Sequence, residues 1–396
     1  MMKLNRLCKQ DYDLYHEPNF KARVLKKEDF DGINVSDYVI NRAIEGSKFF
    51  KKRFDNKTLF PDIIIRYEKI SLDEELIIHN YTGFCPVQTF EINPVLGCNI
   101  GCVYCLVDDG IHKELVVYEN YHELVEKKLS EYYQNEHYFY FSPKTEAFCE
   151  ATLASGIAHK ILKTFIKHYQ EHPDSKVRLF IASKGGVEAL NYIYNGESIL
   201  DLFIQLKDKM QFNTSLSIFP DNIRNYLEPY ASSLESRLEA VKLCQKHGIM
   251  ANSALVQPIL INILNDTILE TFFQKLASYG IINFKPEFLT VNIENMVLMS
   301  QILEMTDKDI MKKIFEIYFY NQNIDHIKQR GRTAPSRELS YYWINKMKRI
   351  AEKYDITISI CYWVRKQLNL SDDYIPIINK NGFKCLGYQT RLFGGK

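Results

Sequence analysis

The stretch LGCNIGCVYCLVDDG, residues 96–110, sets Cys98, Cys102 and Cys105 within eight positions, directly after a short apolar run, VQTFEINPV (87–95). The spacing is Cys-x3-Cys-x2-Cys. Three soft ligands this close together point to a metal or cluster site, because thiolates bind zinc and iron. A structural zinc site usually asks for two Cys or Cys/His pairs, and the second pair is missing here. Cys85 lies on the other side of the apolar run. The other use of three clustered cysteines is an iron–sulfur cluster with one iron open to an outside ligand.

Outward from the triplet, short apolar runs alternate with amphipathic stretches. After 87–95 the runs are HYFYFS (137–142), KVRLFIAS (176–183), FNTSLSIF (212–219), IMANSALVQPIL (249–260) and IINFKPEFLTV (281–291). Each predicts a strand. Between them, Ile157, Ile161, Leu162, Phe165 and Tyr169 recur near the 3.6-residue period of a helix over 156–169. A second helix is predicted over 233–247, with Ser232 and Glu235 at capping-box spacing, Leu234, Leu238 and Val241 on one face, and Gly248 as its stop. Six such alternations predict an α/β fold with a parallel sheet bent into a full or partial (β/α)6 barrel of the TIM type, its chemistry at the strand ends.

This divides the chain into an N-terminal extension (1–85) with a helix around DYVINRAIEGSKFFKKRF, a barrel (86–291), and a mainly helical C-terminal region and tail (292–396) that includes a late strand, ITISIC (356–361). The segment holding Lys328, Arg330, Arg332, Arg337, Lys346, Lys348 and Arg349 reads first as a solvated surface and second as a grip for a polyanion. His159, His168 and His247, on helices among lysines, read as surface residues.

Of the 396 residues, 46% are hydrophobic and 25% charged, with a net charge of +1, which favours neither nucleic acid nor an acidic surface as a partner. Nine cysteines, mostly far apart, argue against a secreted disulfide framework. With neither a leader-like N-terminus nor a long apolar run, a soluble cytoplasmic protein without membrane attachment is expected.

The spacing at Cys98, Cys102 and Cys105, following the first strand of a strand–helix series, resembles the radical S-adenosylmethionine (SAM) superfamily. Four stretches look like its spore photoproduct lyase branch: NPVLGCNIGCVYC, FSPKTEAF, RLFIASK and LEPYASSLESRLEAVKLCQKHGIMANSALVQPIL. The resemblance implies a [4Fe-4S] cluster on the three cysteines, with SAM chelating the free iron. One-electron reduction by a partner such as flavodoxin or ferredoxin would cleave SAM to a 5'-deoxyadenosyl radical that takes hydrogen from the substrate. It further implies that Ser142 meets the SAM amino group, Lys184 its carboxylate and Ser217 its ribose or methionine part, with Arg237 orienting the carboxylate. Read without the resemblance, both serines serve equally as turn residues.

The likeness breaks at two places. Where the lyase branch carries a hydrogen-donating cysteine, this chain has Pro143, and where it carries a second tyrosine after the last cluster cysteine, this chain has Leu106, while Tyr104 is kept. Proline donates nothing. Cys149, Cys361 and Cys385 are the alternative hydrogen-donor candidates, each of them otherwise a small core residue, and Cys244 reads as core. The expectation is hydrogen abstraction from a macromolecular substrate, in first place a ribosomally made peptide that is epimerised or cross-linked; the alternatives are lyase-like DNA lesion repair or nucleic-acid modification and, of another class, a non-catalytic metal-binding module.

Overall fold

A computed structural model describes residues 2–3, 14–59, 64–79, 88–105, 114–319, 327–328 and 331–360. Its centre is a sheet built from β1 (Gln88–Ile92), β2 (His137–Phe141), β3 (Arg178–Ser183), β4 (Met210–Ile218), β5 (Ser253–Ile259), β6 (Asn283–Phe288) and β7 (Thr357–Ile358). These seven are parallel and lie side by side in chain order; a two-residue strand, Ile78–His79, adds antiparallel to β1 at the edge. The six apolar runs each became a strand. The late run became a seventh member of the same sheet, with Asn283 beside Thr357.

Parallel neighbours need a crossover, and helices supply it. Downstream of α1 (Asp37–Asp55), they are α2 (Tyr121–Tyr132), α3 (Ile157–Glu171), α4 (Ile199–Leu206), α5 (Leu234–Lys246) and α6 (Asp266–Ser278); then come α7 (Ile293–Leu303), α8 (Ile310–Phe319) and α9 (Arg337–Glu352). Along α3 the periodic residues Ile157, Ile161, Leu162 and Phe165 are buried as the spacing predicts. Each such side chain contributes about 1.5–3 kcal/mol by leaving water. His159 and His168 are buried on this helix too, contrary to the surface reading: His159 reaches the Glu197 carbonyl, and His168 Nε2 lies 2.9 Å from Ser175 Oγ. Burial, helped by His172 and Lys209, pushes His168 down to about 4. In α5 the cap is Ser233, which accepts from the Ser236 N–H, because Ser232 Oγ is taken by the Gly186 N–H at 2.7 Å. Gly248 takes the left-handed turn at φ +76° that ends the helix.

Because the strand order never reverses, crossovers of one hand put the helices on one face of the sheet. Sequence alternation agrees. On that face lie Phe90, Ile92, Phe139, Ile181, Phe212 and Phe284, all buried apolar residues. The registers Glu91–Tyr140–Phe180–Gln211 and Ser215–Leu255–Lys285 place on the opposite face a mixed, largely polar set, buried except for the half-buried Ser215. Asn283 links two strands there, donating to Ser253 Oγ and accepting from Ser359 Oγ, both at 2.7 Å. Buried apolar residues from Leu14 to Ile360 form one contiguous core, in which α1 packs on α7.

Candidate functional site

The carboxyl ends of the strands converge on a cavity of about 1020 Å³. Ligands of parallel α/β sheets bind at this end, where loops of different strands meet. All three triplet cysteines line the cavity, together with Ser142 after β2, Lys184 after β3, Ser215 of β4, Gln257 of β5 and Glu287 of β6.

The cysteine loop leaves β1 through Val95–Leu96, which pairs antiparallel with Glu114–Tyr118. It turns at Gly97 and Gly101, whose φ values of +83° and +70° lie where a side chain would be strained. The loop is pinned from behind. The Val103 N–H donates to the Leu227 carbonyl at 3.0 Å, the Tyr230 N–H to the Ile100 carbonyl at 3.2 Å, and Asn295 of α7 donates to the Cys105 carbonyl at 2.8 Å. Burial raises the Cys98 thiol and pushes Cys102 up to about 12, so bare thiolates are disfavoured here and a bound cation is what would ionise them. Among the described residues no group of three or more His, Cys, Asp and Glu side chains is gathered for a single metal ion.

Behind the loop sits a buried charged set centred on Glu228, which the sequence did not single out. Arg237 Nη2 donates to Glu228 at 2.5 Å, the Tyr104 hydroxyl donates to its other oxygen, and Lys184 Nζ stands 3.8 Å away. Burial alone would raise the Glu228 carboxyl; Arg237, Lys184 and the Tyr104 hydroxyl outweigh it and hold the group at about 2. Burial likewise opposes charge on Lys184, yet Cys102 and Glu228 keep its pKa above the ordinary value. Lys184 Nζ also lies 5.5 Å above the Tyr104 ring. Glu146 is a second unforeseen acid. It accepts from the Lys184 N–H at 2.8 Å and from Ser183 Oγ, fixing the turn that carries Lys184.

The structure brings Ser142, Lys184 and Tyr104 to the cavity with the cysteines. Ser142 adopts φ +54°, and its buried hydroxyl has no partner among the described residues. Arg237 stands behind the wall, with its guanidinium on Glu228 and on the carbonyls of Ser215 and Ser232. Ser217 is fully buried with an unpartnered hydroxyl, one strand period beyond the cavity-lining Ser215. Cys149 does not reach the large cavity. It precedes the short helix Glu150–Ala154 and borders a separate void of about 10 Å³. Cys244 is core, as expected. Cys85, Leu106, Arg330, Cys361 and Cys385 lie outside the described residues.

The donor set suits an iron–sulfur cluster with a zwitterionic partner. Three thiols line the same cavity as an orphaned buried hydroxyl and the Lys184 ammonium, and unpaired buried hydroxyls are rare unless a ligand or water completes them.

No family model matches the chain. An uncharacterised protein of Methanocaldococcus jannaschii is 22% identical over 188 residues, which is 46% of this chain; the chain spans 64% of that relative's length. Among solved structures, a cysteine-to-alanine mutant of spore photoproduct lyase with a dinucleoside spore photoproduct aligns over 83% of this chain and 86% of its own, at 14% identity and a TM-score of 0.49. The radical SAM methyltransferase TsrM from Kitasatospora setae, with tryptophan and a SAM analogue, aligns over 52% of this chain and 36% of its own, at 13% identity and a TM-score of 0.37. By these comparisons the chain is similar to spore photoproduct lyase and to a radical SAM methyltransferase.

Proposed function

We propose that the chain is a radical SAM enzyme that takes a hydrogen atom from a macromolecular substrate, a peptide, with an electron from a flavodoxin- or ferredoxin-type partner. The observation that carries this reading is the convergence of Cys98, Cys102 and Cys105 on a large cavity at the carboxyl ends of the sheet. The polar, buried face of the sheet supports a partial barrel, since the interior of an incompletely closed barrel is where such side chains face a ligand.

When bound, a [4Fe-4S] cluster and SAM supply a 5'-deoxyadenosyl radical upon one-electron reduction. The chain's own residues bind and orient. Cys98, Cys102 and Cys105 hold the cluster; Lys184 offers its ammonium to a carboxylate; Ser142 offers its spare hydroxyl to an amino group; Ser217 stands further along β4. Arg237 acts through Glu228, which sets where Lys184 can stand. Among the described residues no helix is long and apolar enough to cross a membrane.

Anaerobic reconstitution, reduction with dithionite and addition of SAM test the proposal. Expected are about four irons and as many sulfides per chain, with 5'-deoxyadenosine formed by the native protein and absent from Cys102→Ala. About one zinc per chain without deoxyadenosine would leave a metal-stapled binding module instead.

A further inference from the structure

We infer that the wall formed by Arg332 and Arg337 receives a substrate carboxylate, so that the substrate is an acidic peptide; this rests on the radical SAM reading. Both arginines line the cavity that the cysteines line. At about 1020 Å³ that cavity is at or beyond the upper end of pockets that enclose one drug-sized ligand, which leaves room beside a cofactor.

The segment carrying the arginines is fixed. Thr333 and Val291 exchange backbone hydrogen bonds of 2.8 and 2.9 Å, Thr333 Oγ1 donates to the Tyr318 carbonyl at 2.7 Å, and Ser336 caps α9 by accepting from the Leu339 N–H at 3.2 Å. The two guanidiniums therefore stand on backbone that is already ordered, which limits what a ligand must immobilise.

The other charged side chains lining the cavity are engaged: Glu146 accepts from Ser183 Oγ and the Lys184 N–H. Lys144 pairs with Glu91 at 3.0 Å, Lys184 faces Glu228, and Glu287 is engaged by Lys285 and Gln257. No ion pair between described residues uses Arg332 or Arg337. Arg337 acts electrostatically on its exposed chain neighbour Glu338, but neither guanidinium is tied up in an ion pair among the described residues, so both can turn to a carboxylate.

A nucleic acid needs a row of cations, because each phosphate contact adds to affinity. Of the flanking bases, Lys346 is paired with Asp266 and Lys353 with Glu270 at 2.5 Å, which leaves fewer open cations beside the arginines than the sequence suggests. What remains at the cavity fits one anionic group.

The test uses the reconstituted protein with SAM and two fluorescein-labelled hexapeptide pools that differ at one fixed position, Asp/Glu against Asn/Gln. Fluorescence anisotropy should show the acidic pool binding about tenfold tighter. Arg332→Gln combined with Arg337→Gln should abolish that preference, and Arg332→Glu with Arg337→Glu should transfer it to a Lys/Arg pool, a gain that misfolding does not produce. Iron content monitors folding of each variant. Equal binding of the two pools, no binding of either, a preference that survives the double Gln variant, or tighter binding of a short oligonucleotide than of the acidic pool would overturn the inference. Failure of the radical SAM reading shows separately, as native protein that forms no deoxyadenosine without peptide.

Discussion

Two sets of polar side chains flank the cysteine loop, and they differ in how they are satisfied. Behind it, Tyr104, Lys184, Glu228 and Arg237 form a closed set in which the carboxylate faces two cations and a hydroxyl. In front, on the cavity wall, Ser142 keeps an orphaned hydroxyl, and Arg332 and Arg337 are exposed and make no ion pair among the described residues. A buried charge is tolerated when paired, and a buried hydroxyl without a partner, such as that of Ser142, marks where a ligand or water completes it. The closed set braces the loop and holds Lys184 at the cavity; the open set has no such internal partners among the described residues.

The largest effect should come from the loop itself. Replacing Cys98, Cys102 or Cys105 singly by Ala should abolish iron retention and deoxyadenosine formation together, read by iron assay and chromatography. Next comes the closed set. Glu228→Ala strands Arg237 in the core and should destabilise the protein by about 3–5 kcal/mol in urea unfolding. Glu228→Leu with Arg237→Met removes both charges and should recover most of that loss. Recovery of stability without recovery of SAM affinity would separate scaffold from ligand positioning, because Lys184 has then lost the acid that locates it.

Acid sharpens the same contrast. Held at about 2 against an ordinary 4.5, the Glu228 carboxyl stabilises the fold fully above pH 4.5, and this contribution fades as pH falls through about 2. It amounts to on the order of 3 kcal/mol. Urea midpoints measured from pH 5 to 2.5 should therefore fall more steeply in the native protein than in Glu228→Gln. The smallest effect belongs to the open set. Ser142→Ala removes no internal hydrogen bond made by the hydroxyl, so stability should move by less than about 0.5 kcal/mol, while SAM binding by calorimetry should weaken by about 1 kcal/mol.

The strands were legible because each is a short apolar run bounded by polar residues, and the cysteine triplet because its spacing is local. Glu228 was not. In LEPYASS it reads as one more solvated acid, and its significance comes from Tyr104 and Arg237, 124 and 9 residues away in the chain. His159 and His168 misled for the same reason: lysines beside them on α3 suggest water, but the helix turns both rings inward. Ser232 and Ser233 are interchangeable as caps by spacing; in the structure Ser233 caps α5, while Ser232 Oγ accepts from the Gly186 N–H. The basic segment shows a further limit. Sequence groups Arg332 and Arg337 with Lys346, whereas the fold turns the arginines to the cavity and pairs the lysine with Asp266.

The most direct measurement is electron paramagnetic resonance of the dithionite-reduced, reconstituted protein, recorded before and after SAM is added. A half-spin iron–sulfur signal whose g values shift with SAM, and which is missing in Cys102→Ala, is the predicted result: one cluster on the triplet, open to SAM in the cavity. A signal that SAM leaves unchanged, or no such signal, would contradict it.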